Sequence, residues 1–183
     1  MLPNSPSPLN KVPEPAEDIF ISNILNDTIM MARGETYAEL IAILGALRGL
    51  AILHQTGHWQ SSGPTFYSDH LLLQRVYETA DGDVDGLAER IVGLAKGALV
   101  GYSSHVITLT RFLKTVKDGS TSDDPCRSSL EAERFFLGLL EAVMTRLEQR
   151  GLLTRGLEQT LGTIAERHEV SVYLLKQRCA VNV

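Results

Sequence analysis

The chain has 183 residues, 44% apolar and 21% charged, a balance that excludes wholesale disorder and supplies enough apolar surface for a sizeable core. Seventeen Lys and Arg stand against 22 Asp and Glu, a formal net charge of -5, which argues against a protein whose main task is to coat a polyanion. Five of the seven prolines (Pro3, Pro6, Pro8, Pro13 and Pro15) precede residue 16, so the rest of the chain is free to be helical.

Residues 1–17 (MLPNSPSPLNKVPEPAE) are too rich in Pro, Ser and Asn to hold a helix and are read as a flexible tail, with one domain over 18–183. From Asp18 onward, Ile19, Phe20, Ile24, Leu25 and Ile29 fit a short amphipathic helix ending near Gly34. A longer helix is predicted from Thr36 to about Ser61, because Leu40, Ile43, Leu44, Leu47, Leu50, Ala51, His54 and His58 recur at steps of three and four. The cluster Ser61-Ser62-Gly63-Pro64 ends it, and a second long helix runs from about Thr65 to Lys96, burying Leu73, Tyr77, Ala80, Val84, Leu87, Ile91 and Leu94.

Gly93, Gly97 and Gly101 weaken the end of that helix, and a shorter helical segment follows from His105 to about Lys117. The run 118–125 (DGSTSDDP) is turn-rich. Helical periodicity then returns over Ser128 to about Gln149 and Thr154 to about Arg178. Four long helices paired one-two and three-four, with a segment crossing between helices two and three, predict an all-α, ferritin-like four-helix bundle with a short crossover helix.

Several signatures fail. Asp81-Gly82-Asp83 opens like a calcium loop, but the twelfth position, where a bidentate glutamate is required, holds Val92. His168-Glu169 begins a zinc-protease signature whose second histidine would be Val172. Cys126 and Cys179 are isolated, which suggests neither a disulfide scaffold nor a structural zinc site and fits a reducing compartment. The longest apolar stretch, Leu40 to Leu53, carries Arg48 and falls short of the roughly 20 residues a membrane span needs. With no secretory leader pattern at the N-terminus, the expected location is the cytoplasm, with no membrane association.

Four polar residues remain: His58, His70, Asp85 and Glu89. Imidazoles and carboxylates together suit iron or zinc. Asp85 and Glu89 are an i, i+4 pair on one helix face, and His58 and His70 flank the turn at Gly63. His70 and Asp85 lie fifteen residues apart on one helix, on the order of 22 Å at about 1.5 Å per residue, so one chain cannot bring them to one ion. If all four bind one centre, a second subunit must lie antiparallel, and a two-fold dimer then carries two centres.

His58-Trp59, Gly63, Phe66, His70 and the run Asp85-Gly86-Leu87-Ala88-Glu89-Arg90-Ile91 resemble the Dps family of miniferritins, most densely between His54 and Leu94. In that family an HWN(x)nG motif, a histidine twelve residues on, an aspartate four further and a DxxAER segment build a ferroxidase centre between two subunits. The resemblance places His58, His70, Asp85 and Glu89 at the ligand positions, and Trp59 beside the iron. It implies a dodecameric shell built from two-fold dimers that oxidises Fe(II) with peroxide or dioxygen and stores ferric mineral, with zinc as a substitute or inhibitor.

Gln74 stands where the family has an aspartate, and its neutral amide is a weaker ligand for the second metal position. The alternative reading is therefore a Dps-like shell or metal-binding structural protein with little ferroxidase activity. Residues 1–18 carry only Lys11 against Glu14, Glu17 and Asp18, so this tail lacks the lysines with which relatives bind DNA, and strong duplex binding is not expected.

Overall fold

The computed structural model describes residues 15–31, 36–95, 100–119 and 123–180. Six helices fill them: α1 (Pro15–Met31), α2 (Glu39–Gln60), α3 (Phe66–Leu94), α4 (Tyr102–Gly119), α5 (Pro125–Gln149) and α6 (Arg155–Ala180). No strand occurs among the described residues, and the all-α bundle with a crossover helix is the architecture found. Most of the predicted tail lies outside the described residues. Its last three residues do not remain tail, because α1 starts at Pro15, where a missing N–H costs a first helical turn nothing.

The helix ends follow from capping chemistry. Asp124 is extended and accepts a hydrogen bond from the Cys126 N–H at 2.9 Å, while Pro125 occupies the first turn. That cap starts α5 three residues earlier than apolar periodicity alone suggests. Gly63 (φ +78°) and Gly151 (φ +66°) take the left-handed backbone that turns α2 into α3 and α5 into α6.

α2 is the central helix, packed on α3, α4 and α5, while α6 packs on α5 and α3. It is long and apolar enough by composition to cross a membrane, yet two thirds of its most apolar window is buried inside the bundle, as befits a core helix. α4 lies so close to α2 that a Cβ on Gly45 would sit 2.6 Å from Thr108 Cβ, and one on Gly49 would sit 2.7 Å from Phe112 Cδ1. Glycine is what lets the crossover helix dock.

The core forms two apolar clusters. The larger gathers residues such as Leu25, Leu44, Leu47, Ala80, Phe112, Phe136 and Ile164; the smaller, toward the α3 N-terminus, holds Leu73, Val76, Cys126, Leu130, Val172 and Leu175. At the smaller cluster's end, Arg178 of α6 binds both oxygens of Asp69 on α3 at 2.7 and 2.9 Å and reaches Asp124 at 3.3 Å.

Candidate metal centre

His58 ends α2 and His70 lies in the first turns of α3, so the α2–α3 hairpin brings them together. Their rings stack with centroids 3.6 Å apart. Each imidazole Nδ1–H donates to the other residue's backbone carbonyl, His58 to His70 at 2.8 Å and His70 to His58 at 3.1 Å. A carbonyl can only accept, so Nδ1 carries the proton in both rings and each neutral imidazole keeps its lone pair on Nε2. A second-sphere bond of this kind orients a metal-binding histidine. Phe66 and Tyr77 brace the pair, with Tyr77 edge-on to His58 at 5.5 Å.

Asp85 and Glu89 are both exposed on the outer face of α3. At about 100° per residue, Tyr67, Leu71, Gln74, Glu78, Asp85, Glu89 and Val92 fall within about 60° of one another around α3, with His70 at the edge of that stripe. Tyr67, Leu71 and Val92 are exposed large apolar residues, as are Ile52 and Trp59 of α2. Trp59 packs against nothing that buries it, being 68% exposed in the single chain.

Gln74 does not stand free. Its side-chain N–H donates to Glu78 Oε1 at 2.8 Å, tying the amide to the next turn of α3. The two histidines are thus brought together, whereas the two carboxylates stay farther along α3. No group of three or more His, Cys, Asp or Glu among the described residues is arranged within one chain to hold a metal ion.

A second polar group, unassigned from sequence, crosses the bundle interior. His54 of α2 bonds Ser129 Oγ through Nδ1 and Glu133 Oε1 through Nε2, both at 2.9 Å. Glu133 of α5 also takes a 2.6 Å bond from His168 Nδ1 on α6. His168 Nε2 in turn lies 3.7 Å from Asp83 Oδ2 on α3, and the other Asp83 oxygen is paired with Arg167. Burial pushes the Glu133 carboxyl up, but the charge and hydrogen bond of His168, with the bond from His54, hold it below the usual carboxylate range. Burial raises Asp83, with Arg167 and His168 opposing. Since both His54 nitrogens are occupied, His54 is a hydrogen-bonded core residue and does not extend the His58 pair.

The cysteines are buried thiols. Burial, reinforced by the Asp69 charge, pushes Cys126 up to about 12, and Cys179 is likewise raised by burial.

No protein-family model and no curated protein matches the sequence. Among solved structures, the chain is similar to DpsC from Streptomyces coelicolor, with 27% identity, a TM-score of 0.63, and 77% of this chain and 81% of that chain covered. It is also similar in fold to Dps from Thermosynechococcus elongatus, at 14% identity and a TM-score of 0.62 over 90% of this chain and 94% of that one. The bundle, its crossover helix and these likenesses define a ferritin-like protein. Within that class both likenesses are to Dps proteins, the group that the His58 to Glu89 pattern resembles.

Proposed function

We propose that the protein is an iron-storing ferroxidase. Fe(II) is its substrate, bound where the His58 and His70 pair of one subunit meets Asp85 and Glu89 of another. The observation that carries this reading is the reciprocal Nδ1–H to carbonyl bonding of His58 and His70, which keeps both Nε2 atoms out of those bonds, while no group of three or more His, Cys, Asp or Glu among the described residues completes a site around them within one chain. The exposed apolar side chains beside Asp85 and Glu89 are the surface a second copy covers, stacking α3 antiparallel on α3.

Two Fe(II) give one electron each to hydrogen peroxide, whose O–O bond breaks to leave two hydroxide ions and two Fe(III). Histidine and carboxylate donors together accommodate both oxidation states. The ferric product passes into the cavity of a cytoplasmic dodecamer, and ferrous iron and peroxide are removed together. Zn(II) competes for the same donors.

Mixed assembly tests the shared centre. One chain carries His58→Ala and His70→Ala; the other carries Asp85→Ala and Glu89→Ala. Each alone oxidises iron slowly. Co-assembled, a mixed dimer has one centre without ligands and one with all four, so activity returns; no recovery in a verified mixed shell refutes a centre divided between subunits.

The second reading, a shell with weak oxidation, is favoured by one observation: the Gln74 amide donates to Glu78, a neutral group where a charged ligand serves a hard cation better. Gln74→Asp is expected to tighten the second metal position and speed Fe(II) oxidation, read by stopped-flow absorbance. Unchanged metal stoichiometry and rate would remove residue 74 from the ligand shell.

A further inference from the structure

The inner stripe of α3 is apolar at Leu73, Val76, Ala80, Leu87 and Ile91, but the position one turn before Leu73 is Asp69. A carboxylate there carries a desolvation cost that an aliphatic side chain would not, and replacing a buried ion pair by apolar residues is often neutral or stabilising. Asp69 is nevertheless buried, with both oxygens engaged. Arg178 of α6 donates Nε–H to Oδ1 at 2.7 Å and Nη2–H to Oδ2 at 2.9 Å, and the Thr65 hydroxyl donates to Oδ2 at 2.8 Å. What an aliphatic side chain cannot supply is direction: two parallel bonds from a planar guanidinium fix orientation as well as distance.

Asp69 and His70 are neighbours in the chain, so their side chains leave α3 about 100° apart. Asp69 bonds α6, while His70 meets α2, where its ring stacks on His58 at 3.6 Å and its Nδ1–H bonds the His58 carbonyl at 3.1 Å. Rotating the first turns of α3 about the helix axis, or sliding them along it, would disturb both contacts together. The reciprocal carbonyl bonds hold the two rings to each other but not to the rest of the bundle. The Arg178 fork holds the turn that carries His70 to α6.

The other helices meet at the same end of the bundle. Arg178 Nη1 reaches Asp124 at 3.3 Å, the residue that caps α5 through the Cys126 N–H. A Cβ on Gly57, next to His58, would sit 3.1 Å from Pro125 Cβ and 3.5 Å from Leu73 Cδ1, so the last turn of α2 lies against the start of α5 and against α3. The Gly63 turn joins α2 to α3 here, and Arg178 fastens α5 and α6 to that hairpin.

We propose that Asp69 and Arg178 are positioning residues for the proposed iron centre: their paired bonds set the rotation of the α3 start, so that His58 and His70 present one fixed donor geometry to the metal. Neither residue touches the ion. The inference rests on the reading of His58 and His70 as ligands. Donor groups must be held within about 0.5 Å of the productive geometry, and loss of the groups that orient metal ligands typically weakens binding about 10- to 100-fold.

The test titrates metal-free full-length protein with Co(II), whose visible spectrum reports ligand type and geometry. Two variants alter the pair. Arg178→Lys keeps the charge but cannot make two parallel bonds to a carboxylate; Asp69→Leu with Arg178→Met removes both charges and leaves apolar side chains in their place. Each is expected to bind Co(II) at the histidine-dependent site about tenfold more weakly, with altered d–d bands. Each should also need about ten times more Fe(II) for half-maximal oxidation, while the maximal rate changes less. Gly45→Ala, thirteen residues from His58 on α2, is the control for lost stability: its unfolding midpoint should fall while its Co(II) affinity stays that of the parent. If Arg178→Lys lowers only the unfolding midpoint and keeps the parent's Co(II) affinity and spectrum, the pair is structural and the positioning role is overturned. Equal weakening in Gly45→Ala overturns it too. Should the double variant not fold, Arg178→Lys decides alone. Co(II) binding left unchanged by His58→Ala with His70→Ala overturns the centre itself, and the positioning role with it.

Discussion

At Asp69, burial works to raise the carboxyl pKa, but hydrogen bonds from Arg178 and Thr65, with the Arg178 charge, win and hold it below the usual range. A depressed folded-state pKa means that the native state binds the proton less readily than the unfolded chain. The stabilisation is therefore complete above the unfolded value and disappears as pH falls through the folded one. Arg178→Gln should cost about 2 kcal/mol at neutral pH, since it removes charge-assisted bonds from a largely buried carboxylate. The difference from the parent should narrow below pH about 3.9, near the ordinary aspartate value, in urea unfolding followed by circular dichroism. A difference that does not change with pH would place the effect in packing.

The same scale shows what sequence can and cannot reveal of a site. His58, His70, Asp85 and Glu89, the proposed ligands, stand out in sequence because their spacing is a local pattern on two adjoining helices, of which the fold itself joins the two histidines. His168 does not, because its partner Glu133 lies 35 residues away and the Glu133–His54 bond spans 79. One signal was available: Glu133 sits beside Ala132, Phe135 and Phe136, an acidic residue on an otherwise apolar face. An acid in that position needs a buried partner.

Among the helices, periodicity found every element, because each apolar stripe repeats with the period of the helix that buries it. It did not find the ends set by caps, such as Asp124 before Pro125, nor the depth to which α4 sinks against α2. Gly45 tests that approach. An alanine there would gain up to about 1 kcal/mol of helix propensity, but its Cβ would meet the Leu109 backbone N at 2.8 Å, an atom that cannot move without the whole helix. The clash should prevail, and Gly45→Ala is expected to lose about 1–3 kcal/mol in chemical denaturation. Gly162 on α6 has nothing within 4 Å of such a Cβ, so Gly162→Ala should gain about 1 kcal/mol instead. Equal effects at the two positions would mean that α4 does not press on α2.

At the scale of the whole molecule, the two halves of the proposed iron centre differ in how far apart in the chain their parts lie. The histidine half closes over twelve residues, through a hairpin whose turn is fixed at Gly63. Contacts this local form early, on the timescale of helix and hairpin formation. The carboxylate half reaches those histidines only when a second chain arrives, a bimolecular step whose rate rises with concentration. Refolding should thus separate in time: helical circular dichroism returns first and independently of protein concentration, while Fe(II) oxidation lags, with a delay that shortens as the chain concentration increases. Simultaneous recovery at every concentration would mean that the centre is finished within one chain. A newly made subunit would then hold two histidines ready while it still lacked the partner carboxylates, so the cell would not acquire the oxidising reaction before it had begun to build the container for its product.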